Sequence, residues 1–178
     1  VEVLVASSIS AFVMTSLVLA LLSGMKSWTI GQGKINAEVS SAQGMRSVVS
    51  ELREAMLVTI DNNGMGITFQ VPARQNDGTY SVPPVSDGVN RRIYYQSSTQ
   101  TIRVSDNTGD RALARYVINT DPRQNGASYR LFTATRVSTV IRQVDVRIVA
   151  QTNSSGDECN TSRARETVVL RNVPVSTQ

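Results

Sequence analysis

Residues 3–22 carry no charged side chain and are interrupted only by small hydroxyl residues such as Ser7, Ser8, Thr15 and Ser16. Twenty residues at about 1.5 Å each match the roughly 30 Å hydrocarbon thickness of a bilayer, so the run predicts a membrane-length helix. Glu2 stands at its head, and Lys26 and Trp28 follow where a span would meet the interface. From Lys34 the pattern changes. Ile35, Val39, Ala42, Met45, Val48 or Val49, Leu52 and Ala55–Met56 recur at three- and four-residue steps, the helical period. Lys34, Glu38, Ser41, Arg46, Glu51 and Arg53 lie largely off that stripe. With no proline before residue 57, residues 1–57 are expected to form one stem. Its lower part (1–25) is apolar all round, and its upper part (26–57) has one face to bury. Gly24, Gly31 and Gly33 are the weak points, because glycine costs roughly 1 kcal/mol against alanine inside a helix. A bend or melt there and a continuous but weakened helix both fit.

Residues 58–178 read as strands and turns, a β-rich head. Residues 66–71 alternate at period two behind the turn Asp61-Asn62-Asn63-Gly64. Residues 72–90 hold Pro72, Pro83 and Pro84 and are expected to be loop. Residues 91–96 and 99–104 predict a hairpin turning at Ser97-Ser98, and residues 113–118 a further strand. Residues 129–132 fit strand or loop. The clearest strand is 140–150, expected to pair antiparallel with 167–173 across a polar loop at 153–163. The order of elements is α+β, with a long N-terminal α-helix packed on an antiparallel β-sheet.

The composition narrows the function. The chain of 178 residues has no histidine and one cysteine, Cys159. The commonest general base and metal ligand is therefore missing, and no intrachain disulfide can form. No paired carboxylates or nucleophile–base constellation stands out, so neither an enzyme nor a cofactor is expected. The net charge of +4 is almost all arginine. Arg91, Arg92 and Arg103, with Tyr94 and Tyr95 interleaved, have the chemistry to contact single-stranded nucleic acid, although β-propensity alone accounts for such residues on strands. Asp106-Asn107-Thr108-Gly109-Asp110 lacks the ligand spacing of a calcium loop and reads as a turn. Asn153-Ser154-Ser155 and Asn160-Thr161-Ser162 fit the N-glycosylation pattern on the predicted 153–163 loop.

The opening Val1-Glu2-Val3-Leu4-Val5-Ala6 resembles the mature N-terminus of the type IV pilin superfamily: type IV pilins, minor pilins and type II secretion pseudopilins. The likeness covers about the first 25 residues, and the ending Val169-Leu170-Arg171-Asn172 is a weaker second match. The family carries a short Phe-Thr-Leu-like lead before this point, so the resemblance implies residues ahead of Val1. It implies a pilin fold, with prepilin peptidase and an inner-membrane assembly machinery as partners. It also implies an inner-membrane pool and a homo-oligomeric helical filament at the cell surface, serving adhesion, motility or DNA uptake. Glu2 would be the assembly determinant, neutralised by a neighbour's terminal amine. Val3, Leu4, Val5, Ile9, Phe12, Val13, Leu17, Leu21 and Leu22 would form the filament core. A pseudopilin or minor tip pilin is the alternative within the family. A single-span surface binding protein that never polymerises is the alternative outside it.

Overall fold

One helix dominates the molecule. In the computed structural model, which describes residues 2–122, 125–137, 140–153 and 159–171, α1 (Glu2–Arg53) runs for 52 residues without a break. At about 1.5 Å per residue that is roughly 78 Å. Residues 2–29 are exposed on every side, and the helix is long and apolar enough there to cross a membrane. The hydroxyls of this stretch turn back onto the helix. Ser7 donates to the Val3 carbonyl at 2.9 Å, Thr15 to Ala11 at 2.8 Å and Ser16 to Phe12 at 2.5 Å. Their polarity is thereby spent locally, which suits an apolar surrounding.

The head takes hold of α1 from Gly33 onward. The buried face is Gly33, Ala37, Ser41, Gly44, Met45, Val48, Val49 and Leu52. This corrects the expected stripe in its lower part: Ile35, Val39 and Ala42 are exposed, and Ser41, expected outside, is buried. The two rows are offset by two residues, about 200° around a helix, and so point to opposite sides. Small residues face the head because the helix comes very close to it. A Cβ added at Gly44 would lie 2.5 Å from the Ala114 Cβ, with no flexible side-chain end to yield. Gly44→Val is therefore expected to destabilise the head by about 1–3 kcal/mol through overpacking. Gly24→Ala and Gly31→Ala meet nothing within 4 Å. They should leave stability unchanged or raise it by up to about 1 kcal/mol. Chemical unfolding of the three variants in detergent checks this, and equal effects at all three positions would overturn it.

α1 stops at Arg53, four residues short of the expected stem. Met56 N donates to the Gln70 carbonyl at 2.8 Å, and the chain passes directly into a strand. The five-stranded antiparallel meander is β1 (Leu57–Ile60), β2 (Gly66–Gln70), β3 (Arg91–Gln96), β4 (Thr101–Ser105) and β5 (Asp110–Ala114), in that order. β6 (Thr120–Asp121) and β7 (Ala127–Ser128) pair with each other. β8 (Phe132–Val137), β9 (Val140–Asn153) and β10 (Cys159–Val169) form a second sheet in the order β10-β9-β8. α1 packs on β9, β10 and β5. The core joins Val48 and Leu52 of the helix to Phe69, Ile93 and Ile102 of the first sheet and to Phe132, Val146 and Ile148 of the second.

The α+β architecture, the loop at 72–90 and the β9–β10 pairing (Val168 opposite Val144) match the expectations. Three details do not. The strand expected at 113–118 is β5, which begins at Asp110 and ends at Ala114, and Tyr116 breaks it with φ 59°. Residues 116–118 instead flank β9, where Gln151 N donates to the Tyr116 carbonyl at 2.7 Å. The polar loop expected at 153–163 is strand at both its ends, since β9 reaches Asn153 and β10 starts at Cys159. The last strand ends at Val169, and Asn172 and Val173, like Val1, lie outside the described residues.

Candidate assembly surface

The stem presents an acid followed by apolar side chains on all sides. Glu2 lies exposed in the first turn of α1, where the positive end of the helix dipole favours a carboxylate. Val3, Leu4, Val5, Ile9, Phe12, Val13, Leu17, Leu21 and Leu22 are each more than half exposed. Such an extent of bare apolar surface is unsuited to water.

Where stem meets head, two side chains from the second sheet grip helix carbonyls. Thr152 Oγ1 donates to Gly33 O at 2.5 Å, and Asn160 Nδ2 to Ile30 O at 3.0 Å. Two turns further on, Ser40 Oγ donates to Arg115 O at 2.5 Å, and the hydroxyls of Ser41 and Ser162 meet at 2.9 Å. Gly31 and Gly33 thus fall beside the grip, and the helix is continuous through Gly24, Gly31 and Gly33. The same geometry corrects the placement of Asn160. It sits in β10 opposite Thr152, and the amide nitrogen a glycan would occupy is bonded to the helix. Asn153 closes β9, and its side chain, like residues 154–158 and the Cys159 thiol, lies outside the described residues.

The basic section is neutralised by its neighbours. Arg91 pairs with Asp87, Arg92 with Asp61 and Arg103 with Asp110, each at 2.8 Å. Tyr94 OH also donates to Asp110 at 2.9 Å, and the Asp110 hydrogen bond raises the Arg103 pKa. These arginines share a sheet region, but every one of the three faces a carboxylate, an arrangement that repels phosphate as much as it attracts it. The Asp106 carboxylate accepts from Thr108 N at 2.7 Å and Thr108 Oγ1 at 2.6 Å, and the Thr108 hydroxyl holds its pKa below the ordinary range. It is the knot of a turn. Among the described residues no group of three or more carboxylates, thiols or imidazoles is placed to hold a metal.

Sequence reasoning missed a buried cluster around Asp121. Its side chain is 2% exposed and is shared by Arg147 and Arg163, with Arg163 Nε 3.1 Å from both carboxylate oxygens. Arg147 lies over the Tyr129 ring at 5.0 Å. Tyr129 OH donates to Ile118 O at 2.5 Å and accepts from Val149 N at 3.1 Å. Burial pushes the Tyr129 pKa up to about 12. The folded head therefore keeps this proton where an unfolded chain loses it, near pH 10, and stability should fall between about pH 10 and 12. Tyr129→Phe is expected to flatten that fall and to cost about 1–3 kcal/mol at neutral pH, because the Val149 N–H loses its acceptor. Urea unfolding at pH 7 and 11 measures both, and a Phe variant as pH-sensitive as the parent would contradict the assignment.

No family model, curated protein or solved structure matches the chain.

Proposed function

We propose that the chain is a structural subunit of an extracellular filament of the type IV pilin kind. It would be held in the inner membrane by α1 before assembly and packed through α1 afterwards. The observation that carries this reading is the stem: residues 2–29 leave a folded head with no side of the helix covered. A plain anchor accounts for the apolar run. It leaves Glu2, an acid at the outer end of the run, without a role. In a polymer, neighbouring stems would bury about twenty apolar side chains per subunit, each worth up to roughly 1.5–3 kcal/mol before the entropy of association is subtracted. The head would tile the outer surface and need no catalytic group. The resemblance of residues 1–6 to the pilin superfamily supports the same reading, with prepilin peptidase and an inner-membrane assembly machinery as partners. The paired arginines give no support to nucleic-acid binding.

The test is to shear surface filaments from cells that make the chain, image them by electron microscopy and identify their subunits by mass spectrometry. The chain is expected as a filament component. Filament preparations that never contain it, from cells that hold it in the membrane, would refute the reading.

A further inference from the structure

Above the membrane-length run, α1 has a second apolar row that the head does not use. Between residues 25 and 42 the exposed apolar side chains are Met25, Trp28, Ile35, Val39 and Ala42, with Gln32 the polar member of the series. Their spacing alternates between three and four residues, the a/d pattern of a coiled coil, with Met25, Gln32 and Val39 at a and Trp28, Ile35 and Ala42 at d. Downward the same register takes in Met14, Val18 and Leu21, which makes four heptads. Every large apolar member is more than half exposed; Trp28 is 70%, Ile35 59% and Val39 56% exposed. Lys26, Lys34 and Glu38 lie off the row. The row is therefore not a continuation of a lipid-facing surface that is apolar all round.

We propose that this row is a pairing face on which a second copy of the chain docks in parallel and in register before any polymer forms. A heptad repeat is complementary to another helix with the same repeat, and every copy carries one. The membrane sets the register. Copies whose Lys26 and Trp28 sit at the same interface are at the same depth, so identical residues face each other. Gln32 adds to this, since a polar side chain at a single a position favours an aligned dimer in which it meets itself. Shape agrees as well. A groove of about 550 Å³ runs along the helix beside Leu21, Gly24, Met25 and Trp28. Gly24, at the g position before Met25, has no side chain to fill it, and it leaves a hole for the partner's Met25. The seam is about 42 Å long on a helix about 10 Å across, and the corrugated area it closes per copy is on the order of the 800 Å² of a standard stable interface. At its upper end the groove between α1 and β5, about 430 Å³, opens beside Val39 and Tyr116. Val39 therefore borders open space where the head meets the helix. A strict heptad drifts against a straight helix, and the pair would wind left-handed.

This inference rests on the membrane placement in the proposed function and not on the polymer. In full-length chain carrying Cys159→Ser, single cysteines are introduced as Ile35→Cys, Val39→Cys and, off the seam, Lys34→Cys. Isolated membranes are then oxidised and the covalent dimer is measured. Ile35→Cys and Val39→Cys are expected to yield at least ten-fold more dimer than Lys34→Cys. Equal yields at all three positions, or none at 35 and 39, would overturn the pairing face. The two readings fail separately. Filaments that contain the chain, from cells whose membranes show no dimer at 35 and 39, remove the pairing face alone. Dimers at 35 and 39, with no filament containing the chain, remove the polymer alone.

Discussion

Glu2→Ala should abolish filaments while leaving the head as stable as before. The residue is exposed in the first turn of α1, more than forty residues along the helix from the Met45–Leu52 packing that holds the head. Removing its carboxylate takes no contact from the head. In a packed bundle of stems the same carboxylate would stand among apolar side chains. An isolated charge at the centre of a span costs about 2.5–3.5 kcal/mol on insertion scales, so it needs a cationic partner. The resemblance to pilins assigns that role to a neighbour's terminal amine. Such a pair neutralises both charges and fixes the axial step between subunits. Alanine would remove such a pair and leave the neighbour's amine buried and alone. Glu2→Gln keeps the size and loses the charge, so it separates the two contributions and is expected to fail as well. Filament yield by electron microscopy, with membrane levels of the chain as the control, is the measurement. Wild-type filament numbers from Glu2→Ala would remove Glu2 from assembly, and a single-span protein that never polymerises would be indifferent to the change.

Much of this arrangement was readable from residue order. Twenty uncharged residues behind one acid specify a membrane-length helix whatever follows, and β9 shows in the alternation of Val144, Val146 and Ile148 with Asp145 and Arg147. The face that α1 turns to the head was not readable. Hydrophobicity favours Ile35 and Val39, whereas the head selects Gly33, Ala37, Ser41 and Gly44 because close approach needs small side chains. A second apolar row on the opposite side then looks, in one dimension, like part of the first. β8 escaped for a related reason. Thr133, Ala134, Thr135 and Arg136 carry little apolar signal, and the strand exists because β9 offers it a ladder, with Thr133 opposite Asp145. Asp121 could not be foreseen as a buried ion, since its partners lie 26 and 42 residues further along the chain.

That ion carries the largest stability effect expected in the head. Asp121→Ala should cost about 3 kcal/mol or more, or prevent folding. Asp121 ties β6 to β9 through Arg147 and to β10 through Arg163, and the Asp121 hydrogen bond raises the Arg163 pKa further. Whether the intact triad stabilises the fold relative to an apolar filling is a separate matter, since burying three charges is itself expensive. Deleting the single anion is not ambiguous. It leaves two guanidinium groups that converge on one carboxylate facing each other across a cavity. Breaking such a group by removing one partner typically costs about 3–5 kcal/mol. Arg147 and Arg163 retain 30% and 23% exposure, so water can reach them and the lower end of that range applies. Asp121→Asn should fall between, because an amide can accept one of the hydrogen bonds without supplying the charge. Arg163→Leu, which removes one cation and leaves the Arg147 pair, should cost less than Asp121→Ala. Urea unfolding of the three variants decides the order. A loss below 1 kcal/mol for Asp121→Ala would mean that the cluster relaxes into solvent and that β9, β10 and α1 hold the head without it.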